Sequence, residues 1–226
     1  MKRLAIFGAG GHGKVVAEIA QLSGWSDIIF FDDNDRITKL ENWSIQGNLK
    51  KFLSHSKDYD GSFVAIGDNQ IRLQIVKLML SNSKNNLVTL IHPNSIISKL
   101  SKVGLGSVVM AGSIINPFSS IGISNIINTN SVIEHDNLIG DYVHISPGVN
   151  IAGSVTIGQE SWIGIGSSIK QNISIGSNVI VGLGSVVLEN LPDNVVAFGV
   201  PAKIDLQCSI LIFHHGHLLL RKKLMQ

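Results

Sequence analysis

The sequence predicts two domains: an N-terminal α/β unit of the Rossmann-like, mononucleotide-binding kind, and a C-terminal all-β left-handed parallel β-helix made of hexapeptide repeats. Three observations carry this. An apolar start runs straight into a glycine-rich turn, an aliphatic side chain recurs at every sixth position through the second half, and 23 glycines accompany only 15% charged residues. Such a composition suits tight turns between buried β segments and not an all-helical chain.

In chain order, Leu4-Ala5-Ile6-Phe7 reads as a buried strand and Gly8-Ala9-Gly10-Gly11-His12-Gly13 as a turn. Lys14 to about Leu22 follows as a helix whose apolar positions are Val15, Val16, Ile19 and Ala20. Ile28-Ile29-Phe30-Phe31 makes a second strand that ends in Asp32-Asp33. Gly8, Gly10 and Gly13 fit G-x-G-x-x-G between strand and helix, with an acidic pair about twenty residues on, the arrangement of a phosphate loop with a ribose-binding carboxylate. The open N–H groups of a helix start suit a phosphate. Only one more strand-loop-helix follows: Phe63-Val64-Ala65-Ile66, Gly67-Asp68-Asn69, and Ile71 to Leu80, before Leu87-Val88-Thr89-Leu90 leads onward. Half of a dinucleotide fold suits a nucleotide-linked substrate better than NAD. A glycine turn that serves packing alone stays open as the alternative.

From Ile97 the aliphatic residues Val103, Val109, Ile115, Ile121, Ile127, Ile133, Ile139, Ile145, Ile151, Ile157, Ile163, Ile169, Ile175, Val181 and Val187 keep strict register. Glycine follows several of them directly, as at Gly104, Gly122, Gly140, Gly158, Gly164, Gly176 and Gly182, and small or branched residues such as Ser107, Ser131, Val155, Ser167 and Ser185 come four positions on. Three short strands per triangular coil place each aliphatic residue inward, stacked on the one eighteen positions away. At the ordinary strand spacing the sixteen hexads give about five coils, roughly 25 Å of prism. Glycine is expected at the corners for positive φ or close approach. The domains are expected at 1–92 and 93–203, with a tail at 204–226.

A prism has no chemistry of its own, so function must lie in residues that break the pattern. Glu134-His135-Asp136 does so at a coil corner or outer face, where His135 cannot point into the core. His144, half a coil further on, belongs to a different face. An imidazole suits removal of a proton from an attacking amine or hydroxyl, and a neighbouring carboxylate orients it. Zinc would need three or four ligands, and only His135 and His144 lie within the repeats, with His92 before them. No metal is expected. The formal charge of +2 gives no argument for nucleic acid. The single Cys208 excludes an intramolecular disulfide framework. No stretch approaches a membrane span, so a cytoplasmic protein without membrane insertion is expected.

At these residues the chain resembles the bacterial sugar O- and N-acyltransferases of the sialic acid O-acetyltransferase type, and more closely the sugar-nucleotide N-acetyltransferases. The resemblance covers roughly residues 3–203. It rests jointly on Phe7 to Gly13, Phe31-Asp32-Asp33, Ala65 to Asn69 with Ile71-Arg72, Ile127-Asn128-Thr129, Ile133 to Asp136, and Gly199-Val200-Pro201-Ala202-Lys203. It implies a homotrimer with acetyl-CoA as co-substrate in the groove between prisms. It further implies His135 as general base with Asp136 orienting it, and Asn128 and His144 holding the sugar. The Gly153 N–H would contact the thioester oxygen, and Ile165, Gly182 and Gly184 would line the CoA arm. Gly11, His12 and Asp32, with Asp33 and Asn69 beside them, would bind the uridine diphosphate. The expected activity is acetylation of the 4-amino group of a UDP- or dTDP-linked 4-amino-dideoxy sugar for surface glycan. O-acetylation of a sialic acid or another hydroxyl, and a non-catalytic nucleotide-binding scaffold, are the alternatives. The chain departs from the pattern after Lys203, where Ile204 to Gln226 continues to a basic end with His214, His215 and His217.

Overall fold

The computed structural model describes residues 2–81 and 86–207; Cys208 and the tail histidines lie outside the described residues. The chain divides into two compact units. The described part of one is residues 2–81 and 86–93 together with Leu105–Val108, and that of the other is Asn94–Gly104 and residues 109–207.

In the first unit, β1 (Arg3–Phe7) leads into α1 (Gly11–Leu22), β2 (Asp27–Phe31), a hairpin of β3 (Lys39–Leu40) and β4 (Trp43–Ser44), α2 (Leu49–His55), β5 (Gly61–Val64) and α3 (Asn69–Leu80). The sheet has three parallel strands in the order β2-β1-β5, with Leu4 opposite Ile28 on one side and Gly61 on the other. Its strands are apolar without alternation because helices cover a parallel sheet on its faces; Leu4, Ile6, Phe30 and Phe63 are all buried. The first helix starts three residues earlier than its apolar pattern suggests, since a helix's first turn needs no buried face. The hairpin and α2 were not expected.

In the second unit every expected aliphatic residue closes a two-residue strand, and strands eighteen positions apart pair in parallel. Ile115, Ile133, Ile151 and Ile169 stack on one face, Ile121, Ile139 and Ile157 on the next, and Ile127, Ile145 and Ile163 on the third. The first face holds six strands, from Ile96–Ile97 to Val186–Val187, and the second holds five. Nearly all of these inward side chains are sealed from water. Each such burial stabilises by roughly 1.5–3 kcal/mol before chain entropy is set against it. Beyond the last coil, Val196–Phe198 pairs antiparallel with Lys203–Asp205.

The corners correct the expectation about glycine. From Gly106 to Gly184 a left-handed φ recurs every six residues, three after the aliphatic position, and it is carried more often by Phe118, Ser124, Asn130, Asp136, Tyr142, Ser154, Glu160, Asn172 and Asn178 than by glycine, which takes it at Gly106, Gly112, Gly148, Gly166 and Gly184. The glycines that directly follow the aliphatic positions answer a different need. A Cβ at Gly140 would come within 2.7 Å of the Gln159 N of the next coil, and one at Gly164 within 2.6 Å of Leu183 N and Val181 O. They allow the coils to stack. Among the described residues, no helix is long and apolar enough to cross a membrane and no cluster of His, Cys, Asp and Glu could hold a metal ion.

Candidate active site

The edge between the first and second faces carries the His135–Asp136 pair. Asp136 occupies the left-handed corner position with φ of 59°, a conformation aspartate tolerates better than most residues. His135 Nδ1 lies 2.7 Å from Asp136 Oδ2. An ionised carboxylate can only accept, so Nδ1 carries the proton and Nε2 of the neutral ring keeps its lone pair. The side chains are 58% and 54% exposed. An exposed pair adds little to stability, but it fixes a tautomer and leaves Nε2 with its lone pair. Beside it, Asn116 Nδ2 donates to Glu134 Oε2 at 2.9 Å, so the residue before the base is also held.

Gly153 stands one coil below His135 and is buried. Among the described residues no backbone carbonyl takes its N–H, whereas its own carbonyl accepts from Asn172 N. The site residues expected from the sequence do not all share this edge. Asn128 and His144 lie toward the edge between the third and first faces. There Asn128 Nδ2 is 3.4 Å from His144 Nε2. The His144 ring stacks on Trp162, with centroids 4.7 Å apart and planes 14° from parallel, and Trp162 Nε1 donates to Ser146 Oγ at 2.9 Å. Trp162 was not singled out from the sequence, although its place eighteen residues after His144 is the signal that would have found it.

Ile165 and Gly184 share this second edge and are exposed, whereas Gly182 is buried. A Cβ at Gly182 would meet Phe198 Cβ at 2.7 Å. Gly148, Gly166 and Gly184 take the left-handed turns here, each with open space where a Cβ would project. The corresponding turns near His135 use Asp136, Ser154 and Asn172, so glycine is not demanded by the backbone alone. The result is an edge whose left-handed turns carry no side chain, so that a slender ligand can approach the main chain at those points.

The glycine loop of the first unit forms a separate locus. Gly10 caps α1 without a side-chain hydrogen bond and leaves the first N–H groups of the helix open. Gly13 has no room for a Cβ, which would strike the Gly8 carbonyl oxygen and come within 3.2 Å of Phe30. Asp32 is already engaged: Oδ2 accepts from Ala9 N at 2.6 Å and Oδ1 from Asn34 N at 2.8 Å. It rivets the loop to the end of β2. Asp33 Oδ1 accepts from Leu49 N at the start of α2. Asn69 is buried, and its Oδ1 accepts from Arg72 Nη2 at 2.7 Å.

Arg72, only 1% exposed, also donates through Nη1 to the Ile66 and Gly67 carbonyls at 3.0 and 3.1 Å. Its place one turn into α3, after the Asp68 cap, makes it the clamp of the second loop. His12 is half-buried as a residue, but its Nε2 is sealed from water and has no hydrogen-bond partner among the described residues. Burial, reinforced by the Arg72 charge, pushes its pKa down to about 4. The ring is therefore neutral at pH 7. Gly11 is exposed beside it.

Comparison with known proteins points one way for both loci. Residues 3–79 match the family described as the PglD N-terminal domain. A curated relative, the UDP-N-acetylbacillosamine N-acetyltransferase of Bacillus subtilis (strain 168), is 37% identical over 123 residues, which are 47% of this chain and 50% of that protein. The match thus spans half the length of this curated relative. The acetyltransferase domain of PglB from Neisseria gonorrhoeae FA1090, solved with acetyl coenzyme A, is 37% identical across 90% of this chain and 99% of its own, with a TM-score of 0.86. PerB from Caulobacter crescentus, solved with CoA and GDP-perosamine, is 35% identical across 91% of this chain and 98% of its own, with a TM-score of 0.85.

Proposed function

The chain belongs to the family of sugar N-acetyltransferases built on a parallel β-helix, and from that premise we propose that it transfers acetyl from acetyl-CoA to an amino group of a nucleotide-linked amino sugar. The finer reading is the 4-amino group of a UDP- or dTDP-linked 4-amino-dideoxy sugar made for surface glycan. One observation carries the chemistry: an exposed imidazole whose Nδ1 is held by a carboxylate at 2.7 Å.

In this reading the substrate nitrogen attacks the thioester carbonyl carbon while His135 Nε2 takes the proton the nitrogen sheds. The carbonyl oxygen of the tetrahedral intermediate rests against the Gly153 N–H. Collapse breaks the carbon–sulfur bond, and the departing thiolate takes the proton back from His135. Asp136 holds the ring through both transfers. Ile165 and Gly184, with Gly182 behind them, line the pantetheine arm along the edge of glycine turns, and Asn128 and His144 hold the sugar. Because that edge and the His135 edge bound opposite sides of one face, a neighbouring subunit in a homotrimer supplies the second wall of the cleft. Gly11 and His12 receive the diphosphate at the open start of α1. Asp32 and Asn69 shape the two loops around it, and Asp33 sets the position of α2.

Replacing His135 by Ala is expected to lower kcat by roughly 10²- to 10⁴-fold, the usual contribution of a positioned base, with little change in CoA affinity. Near-normal turnover would remove His135 from this role. A thermal-shift screen of UDP-, dTDP- and GDP-linked amino sugars, with and without CoA, identifies the acceptor, since a ligand bound only by the folded form raises its apparent stability. Response to a free sialic acid in preference to any nucleotide sugar would overturn the acceptor class.

A further inference from the structure

Gly153 lies eighteen residues after His135, one coil away, and the imidazole rests directly upon it. A Cβ built on Gly153 would stand 2.6 Å from His135 Cε1, 2.7 Å from Nε2 and 3.1 Å from Nδ1. Real Cβ contacts of that length do not occur, so any side chain at 153 must displace the ring. The glycine is not required by its own backbone, because Ser154, and not Gly153, takes the left-handed turn of this coil. The three atoms nearest the missing Cβ all belong to His135, whereas at Gly140 and Gly164 they belong to the main chain of the next coil. The position is therefore small for the sake of the ring.

We infer that Gly153 is a positioning residue whose bare Cα forms the shelf on which the His135 imidazole sits against Asp136. This rests on His135 being the base, and it adds a second role to a residue whose N–H alone has so far been invoked. The ring is clamped in two directions: Asp136 fixes Nδ1 in its plane, and Gly153 fixes the height of the plane above the coil. His135 is more than half exposed, so the cheapest relief of a Cβ at 153 is rotation of the imidazole outward. That rotation breaks the bond to Asp136. The fold survives and the base is lost from its position.

Gly153→Ala separates the two roles, because alanine keeps the N–H. The shelf predicts that kcat falls by about 10- to 100-fold, the range expected for a catalytic group displaced by an ångström. KM for acetyl-CoA and the melting temperature should stay near native values. Ring ¹⁵N resonances of His135 report the tautomer: the native ring carries its proton on Nδ1, and the variant is expected to move toward the Nε2–H form that an imidazole without Asp136 adopts. In a His135→Ala background the collision is absent, so adding Gly153→Ala should leave the melting temperature unchanged. Native kcat with an Nδ1–H ring in Gly153→Ala would overturn the shelf while leaving the base intact. A drop in melting temperature on adding Gly153→Ala to His135→Ala would overturn it as well, by showing that the glycine serves the fold. Full activity of His135→Ala alone would remove the base, and the shelf with it.

Discussion

Acid should weaken the first unit through His12, and the size of the effect follows from its surroundings. The ring has an ordinary pKa of 6.5 when the chain is unfolded and is held down to about 4 in the fold, by burial first and by the Arg72 charge second. The difference is about 2.5 units, on the order of 3 kcal/mol at 1.36 kcal/mol per unit. Because the folded pKa is the lower one, the unfolded chain binds the extra proton, so stability is full above 6.5 and falls as the pH drops from 6.5 towards 4. At pH 5 the unfolded ring is almost wholly protonated and the folded ring is not, a difference of roughly 2 kcal/mol. Arg72 cannot relieve this by losing its charge, and its guanidinium is fixed by Ile66, Gly67 and Asn69. Urea unfolding at pH 8 and pH 5, compared between the native chain and His12→Gln, isolates the contribution from that of the carboxylates. The native chain is expected to lose about 2 kcal/mol more than the variant over that interval. Equal losses, or a His12 ring that titrates near 6.5 by NMR, would refute the reasoning.

The prism and the loop give two further tests. Ile145 is fully buried between Ile127 and Ile163; Ile145→Ala should cost about 2–5 kcal/mol and Ile145→Val about 1 kcal/mol, read from denaturant midpoints, and equal costs would mean that the coils close around the gap. Gly13→Ala pushes a methyl into the Gly8 carbonyl, whereas Gly11→Ala meets no atom within 4 Å. The first should abolish the thermal shift given by the nucleotide sugar while sparing that of acetyl-CoA, and the second should leave the fold unaltered; the reverse order would mean that helix and loop do not close around Gly13.

The hairpin of β3 and β4, the helix α2, and the clamp at Arg72 escaped the sequence for a common reason. Lys39-Leu40 and Trp43-Ser44 are too short to show alternation, and Leu49–His55 buries only Phe52, so neither period accumulates enough positions to be seen. Arg72 stood in the sequence only as part of a family mark; the approach of the 66–69 loop gives its contacts to Ile66, Gly67 and Asn69 and its burial. Asp32 shows the same limit. Its spacing after the glycine loop identified an important carboxylate, but whether that carboxylate meets a ribose or ties Ala9 to Asn34 depends on where the main chain passes.

The sequence by itself determined the prism and its contents, because a six-residue period fixes the inward side chains and an eighteen-residue period fixes what stacks on what. It also placed His135 and Asp136 side by side outside the core, since adjacent residues need no fold to meet. What only the tertiary structure decided is the heights and gaps between coils: the imidazole lying on Gly153, the His144 ring lying on Trp162, and the left-handed turns passing to Asp136, Ser154 and Asn172 on one edge and to Gly148, Gly166 and Gly184 on another. Register names the neighbours. Contact depends on rotamers and on the few ångströms between strands, which a repeat in the sequence does not encode.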